Sequence, residues 1–202
     1  MIAVVDYDAG NLRSVETALR YLGVQYAVIA DAERLRTADR VVVPGVGDAA
    51  AAMTRLNALG MSDALREFAR SGRPFLGICL GSQIVLERSQ ENDATCLGII
   101  PGEAVAFGDL SGRKVPHMGW NTLEPEVSHP IFAGIEPETS FYFVHSYFPR
   151  PMDDGTCLAT TEYGERFCSV VGRENVVATQ FHPEKSGEPG LRMLHNFLEW
   201  NA

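Results

Sequence analysis

Cys79 has the clearest chemical setting in the chain. It lies in FLGICLGSQ (Phe75 to Gln83), where Gly77 and Gly81 flank it at two residues on each side. G-x-C-x-G between an apolar run and a helical pattern has the form of a nucleophile elbow, a sharp strand-to-helix turn whose neighbours must lack a Cβ. A thiol there would sit at a helix start, where partial positive charge favours thiolate. The backbone N–H of Leu80 would face the same space and could bind a developing oxyanion. The competing reading is a cysteine used as a small core hydrophobe at a tight junction.

A cysteine nucleophile needs a base. Of five histidines, His195 falls in a closing amphipathic helix and reads as structural, and His129 sits in a proline-containing loop and reads as surface. His182 follows the apolar run NVVATQF directly, in QFHPEKS. Across Pro183 an extended backbone would point the side chains of residues 182 and 184 the same way, so Glu184 could orient the imidazole as the third member of a triad. A polar turn after a strand is the plainer reading of His-Pro-Glu taken alone. A third segment, VVVPGVGD (Val41 to Asp48), ends a strand in a glycine-rich turn that could supply another oxyanion donor. Phosphate binding there is disfavoured, because no Lys or Arg follows and the Walker pattern is absent.

These residues must be brought together by the elements around them. The first half alternates apolar runs with helical patterns: IAVVD, a helix capped by Asn11 and stopped at Gly23, QYAVIA, RVVVPG, an alanine-rich helix from near Asp48, a helix capped by Ser62, RPFLGIC, and a helix through SQIVLERSQ. Continuously apolar strands separated by helices predict a parallel sheet covered on both faces, with strand C-termini gathered at one edge. From Gly98 to Val171, GEAVAF, RKVPHMGWNTL, SFYFVHSYF, TCLATTEY and RFCSVVG read as short strands of an antiparallel insertion, before a last buried strand and the helix GLRMLHNFLEW. No stretch reads as a linker. A single α/β domain over residues 1–202 is expected.

The 202 residues are 46% hydrophobic, enough for one substantial core, and the formal net charge of −9 argues against nucleic acid or an anionic membrane as partner. No apolar run approaches the ~20 residues of a membrane span. Met1 opens directly into IAVVDY without a basic flank, so no secretory leader is expected. The cysteines at 79, 96, 157 and 168 lack metal-ligand spacing and make no disulfide framework, which fits a reducing cytoplasm and no metal.

Together DYDAGNLRSV, PGVG, GICLGSQ, KVPHMGWN, FYFVHSY, TTEYG and QFHPEKSG, in order over nearly the whole chain, resemble the class I (triad-type) glutamine amidotransferases. PGVG, PHMGWN and FVHSY are similar in particular to the glutaminase subunits of imidazole glycerol phosphate synthase. The resemblance implies a three-layer α/β fold and a cofactor-free reaction. In it Cys79 attacks the side-chain amide of L-glutamine, His182 takes the thiol proton and returns it to ammonia, Glu184 orients His182, and water hydrolyses a glutamyl thioester. It further implies oxyanion donors at Leu80 and in the Val46-Gly47 turn, with Val46 N–H placed by a peptide flip. Gln83, Ser146 and Tyr147 would hold the amino-acid end of glutamine.

The implied consumer of ammonia is a separate (βα)8-barrel cyclase subunit of imidazole glycerol phosphate synthase, in a heterodimer. Asn11, Trp120 and Lys185 would lie on the docking face, although Trp120 also reads as a core tryptophan. Low activity alone and a large rise with the loaded cyclase are implied. Two departures from the family pattern stand out: Ser82 where methionine is usual, implying a lost or repacked apolar contact, and Asp8-Ala9 in place of a more glycine-rich turn. A glutaminase of the anthranilate, GMP or pyridoxal phosphate pathway, a catalytically inactive scaffold subunit, and a free-standing hydrolase of glutamyl conjugates are the alternatives.

Overall fold

The computed structural model describes residues 1–8, 11–108, 110 and 112–201. The first half alternates as the sequence predicts: β1 (Ile2–Val5), α1 (Leu12–Tyr21), β2 (Tyr26–Ile29), α2 (Ala32–Arg36), β3 (Arg40–Gly45), α3 (Ala49–Ala58), α4 (Met61–Arg70), β4 (Phe75–Cys79) and α5 (Leu80–Ile84). After it come β5 (Arg88–Ser89), β6 (Ala94–Thr95), β7 (Gly102–Ala106), β8 (His117–Thr122), β9 (Glu124–Pro125), β10 (Ser140–His145), β11 (Tyr147–Pro151), β12 (Cys157–Glu162), β13 (Arg166–Arg173), β14 (Val176–Thr179) and α6 (Gly187–Glu199).

Among the described residues the main sheet has eight strands in the order β2-β1-β3-β4-β14-β13-β12-β9. From β2 to β14 neighbouring strands are parallel, and from β14 outward they are antiparallel. Successive side chains alternate between faces. Ala3, Val5, Val41 and Val43 pack with Leu35, Leu56, Leu65 and Phe68 of α2, α3 and α4. Ile2, Val4, Val42 and Leu76 pack on the other face with Val15 and Leu19 of α1 and with Leu194 and Phe197 of α6. Burial on both faces is why the strands read as unbroken apolar runs. The result is the expected three-layer α/β fold.

Two small sheets carry the insertion, an antiparallel pair β10-β8 and a four-stranded sheet β11-β7-β5-β6. The second is mixed, because β5 runs parallel to β7. SFYFVHSYF is two strands that part at Ser146.

Several local expectations fail for identifiable reasons. Asn11 does occupy the start of α1, but its side chain makes no cap bond and reaches residues 182 and 184 instead. The residue before α4 is Gly60 in the left-handed region, and Ser62 lies inside the first turn with its hydroxyl buried. The helix through SQIVLERSQ stops at Ile84, because the backbone of Glu87 is taken up by Gly102 O and Cys96 N at 3.0 and 2.8 Å. Trp120 is 60% exposed, so it is not a core tryptophan.

The elbow glycines are demanded by close backbone approach. A Cβ on Gly81 would lie 2.2 Å from the Val43 carbonyl oxygen, and one on Gly77 would lie 2.7 Å from Gly81 O. Gly81→Ala therefore must push α5 away from β3, and we expect it to cost about 2 kcal/mol or more in urea unfolding. An unchanged urea midpoint would show that this contact does not hold the elbow in place.

Candidate active site

β3, β4 and β14 are adjacent and parallel, so their C-terminal ends meet at one edge, with Gly45 paired to Cys79 and Thr179 to Ile78. Cys79 ends β4 at φ 55° and ψ −104°, a conformation that a residue with a Cβ adopts only under constraint. Ser82 supplies part of that constraint: fully buried, its hydroxyl donates to Cys79 O at 2.7 Å and lies 3.3 Å from Gln180 Oε1. The position expected to lose an apolar contact is thus a polar clamp. Gln180 Oε1 also accepts from Gln83 Nε2 at 3.1 Å, and Gln180 Nε2 lies 3.7 Å from Cys79 Sγ, placed to donate to it.

His182 follows β14 and is fully buried. Its backbone N–H donates to Tyr142 O of β10 at 2.9 Å, and its carbonyl accepts from Ser186 Oγ at 2.6 Å. The following residues Pro183–Lys185 form a 3-10 turn rather than the extended segment expected, and proline at its start suits that turn. The turn still brings the side chains together: His182 Nδ1 lies 2.7 Å from Glu184 Oε1, both side chains having no solvent exposure.

A carboxylate only accepts, so Nδ1 carries the proton of this bond. The Asn11 amide, 3.2 Å from the same nitrogen, therefore donates to Glu184 Oε1 instead. Nε2 is left without a formed hydrogen bond among the described residues. Burial pushes the imidazole pKa down, but interaction with the Cys79 and Glu184 side chains outweighs it and holds His182 up at about 9. Near neutrality the imidazole is charged and carries a proton on each ring nitrogen.

A pocket of about 560 Å³ opens on Cys79. Val46, Gly47, Leu80, Gln83, Ser146 and Tyr147 all line it. Leu80 is the first residue of α5, so its N–H has no intrahelical acceptor. Gln83 Nε2 donates to Tyr147 O at 3.1 Å, tying two of the expected substrate-binding residues together. His182 is absent from the pocket lining and interacts with Cys79 from within the protein.

The sequence reading missed Glu91, which lines the pocket and accepts from Ala49 N at 2.9 Å, its carboxyl pKa raised by burial. It also missed Gln180, although that residue lies two positions before His182. His145, on the pocket wall, is the start of a third missed feature. Its Nδ1 lies 2.8 Å from Tyr147 O and must donate, so Nε2 accepts from His117 Nδ1 at 2.9 Å, and His117 Nε2 accepts from Asn121 Nδ2 at 3.3 Å. Both rings are neutral, burial pushing them down to about 3 and about 4. Histidine pairing across β8 and β10, Val144↔Met118 being their neighbour pair, has no local sequence signal.

Asn11 donates to Glu184, and Lys185 is the next residue along the chain. Trp120 is paired with Tyr142, whose neighbours include His182 and Ser186. Trp120 and Met118, exposed at 60% and 62%, share one face of β8, and Lys185 is exposed. Asp8 takes φ 61° and its carboxylate pairs with Arg55, while Ala9 lies outside the described residues.

The model of the family "Glutamine amidotransferase class-I" matches residues 3–200. The chain belongs to the class I glutamine amidotransferases. It is also 51% identical over 99% of its length to the imidazole glycerol phosphate synthase subunit HisH of Desulfovibrio desulfuricans, covering 94% of that protein. The subunit HisH of Dehalococcoides mccartyi is 46% identical, with 98% of this chain and 97% of that one covered. By the same measure the chain belongs to the HisH family. A solved glutamine amidotransferase superposes with a TM-score of 0.75 at 22% identity, covering 98% of both chains. PurLQS of Thermotoga maritima gives 0.75 at 20% identity over 98% of this chain and 96% of that one, so these two carry the fold alone. Among the described residues, no helix is long and apolar enough to cross a membrane.

Because Glu184 helps to raise the His182 pKa, Glu184→Gln removes a raising cause. NMR titration of the ring should show His182 deprotonating near pH 9 in the native chain and at clearly lower pH in the variant. Identical titrations would mean that Glu184 does not support the imidazolium.

Proposed function

We propose that this amidotransferase is the glutaminase subunit of an imidazole glycerol phosphate synthase in histidine biosynthesis, and that its 202 residues act as one unit. The observation that carries the chemistry is the buried His182–Glu184 pair, 2.7 Å apart, interacting with a strained cysteine that lines a pocket. L-Glutamine binds with its side-chain amide over Cys79. Gln83, Ser146 and Tyr147 hold the α-carboxylate end, and the Glu91 carboxylate is the anion placed for the α-ammonium group.

The Cys79 thiolate forms a bond to the amide carbon, and the carbonyl π electrons move to oxygen. Leu80 N–H and the Val46-Gly47 turn receive that oxyanion. His182 gives its Nε2 proton to the departing nitrogen as the C–N bond breaks, which leaves ammonia and a glutamyl thioester. The neutral imidazole then takes a proton from water, hydroxide attacks the thioester, and glutamate leaves as the thiolate re-forms.

Ammonia is of use only to a second site, and we assign that site to a (βα)8-barrel cyclase subunit docked over Asn11, Trp120 and Lys185. The exposed Met118 and Trp120 supply apolar area on that face, as protein partners commonly require. Asn11 connects the face directly to Glu184 through its amide.

Glutamate release should be slow from the chain alone and rise strongly when a purified barrel cyclase and its nucleotide ligand are added. No stimulation would remove the pathway assignment. Cys79→Ser should abolish turnover, by roughly 10⁴-fold or more, without weakening cyclase binding. Turnover retained in that variant would place the nucleophile elsewhere.

A further inference from the structure

Tyr7 is 2% exposed and packs in the core cluster that contains Val43 and Leu80. Its hydroxyl is buried without a hydrogen-bond partner among the described residues. Such a group is costly to keep, and phenylalanine would fill the same space without it. The phenol is held neutral, since burial first and the nearby Cys79 charge second push its pKa upward. It is therefore a donor waiting for an acceptor.

The Gly45 backbone is next to it. A Cβ built on Gly45 would lie 2.1 Å from the Tyr7 hydroxyl, so the oxygen occupies the space that Gly45 leaves empty. With a carbon–carbon bond of about 1.5 Å, the hydroxyl is within about 3.6 Å of Gly45 Cα. In a trans peptide the N–H and C=O point in opposite directions. If Val46 N–H faces the pocket to receive an oxyanion, the Gly45 carbonyl must turn away from it, into protein and out of water. A buried carbonyl needs a donor. Tyr7 O–H is the uncommitted one at that place.

We propose that Tyr7 is a positioning residue for the oxyanion hole, its hydroxyl donating to the Gly45 carbonyl whenever the Gly45–Val46 peptide presents Val46 N–H to the pocket. The inference rests on the glutaminase reading above. It makes the buried hydroxyl a reservoir of free energy released only in the competent arrangement, so the cost in the resting protein becomes a bias toward the arrangement that binds the transition state.

The test is Tyr7→Phe in the full chain, assayed for glutamine hydrolysis with and without the barrel cyclase. The expected result is a fall in kcat of roughly ten- to a hundredfold, less than or comparable to loss of a direct oxyanion donor. KM should stay within about twofold, because the ground-state amide gains little from the oxyanion site. Alkylation of Cys79 by iodoacetamide should keep its rate, since displacement at a saturated carbon forms no oxyanion. The thermal midpoint should be unchanged or raised. An unchanged kcat with a raised midpoint would overturn the proposal and leave Tyr7 as a plain unsatisfied hydroxyl. Equal losses in turnover, alkylation and thermal midpoint would also overturn it, in favour of a packing role. Glutamine left intact by the native chain under both conditions would overturn the glutaminase reading and this inference with it, whereas normal turnover in both chains removes only the inference.

Discussion

The burial of an imidazole–carboxylate pair next to Cys79 is the constraint around which the rest of the site is arranged. Removing His182 from water disfavours its charged form, yet interactions with Cys79 and Glu184 more than compensate and hold it at about 9. That balance requires the pair to stay dry and fixed. Tyr142 from β10 holds the His182 backbone, Ser186 holds its carbonyl, and Asn11 from the far end of the chain donates to Glu184. Losing any of these would leave a buried charge poorly matched rather than merely a looser loop.

Cys79 is presented by strain of a different kind. Cys79 holds a positive φ of 55° because the strands on both sides of it and the helix behind it leave no relaxed alternative. Gly81 lets α5 press directly on β3, and the Ser82 hydroxyl caps the Cys79 carbonyl. Gln180 links this clamp to the sulfur and to Gln83, so one small polar cluster touches the elbow, the Cys79 thiol and the wall of the pocket beside it. A serine in that cluster has a hydrogen-bonding task that an apolar residue could not perform, which accounts for its tolerance beneath the elbow.

The insertion closes the pocket from the other side. Splitting SFYFVHSYF at Ser146 directs β10 toward His182 and β11 toward the outer sheet, so the break itself falls at the pocket wall. The neutral His145–His117 pair spans from Tyr147 to Asn121 and joins that wall to β8, which carries the exposed Met118 and Trp120. The helix expected after the elbow stops short at Ile84 for a tertiary reason. Local periodicity was present in SQIVLERSQ, but the backbone of Glu87 found partners in distant strands, and tertiary hydrogen bonds outweighed helix propensity.

Short-range pattern in the sequence determined the alternation of strands and helices, the glycine-flanked cysteine, and the His-Pro-Glu run, because each is written within about ten residues and enforced by local sterics and burial. Whole-chain motif order added the family. Tertiary structure alone decided that Asn11 serves Glu184 across 173 residues, that Gln180 faces the sulfur across 101, and that Tyr7 fills the space beside Gly45. Those contacts depend on how the sheet orders its strands and how close two backbones come. Periodicity carries no information about either, since the same apolar run satisfies the core whatever polar group the fold later sets against it.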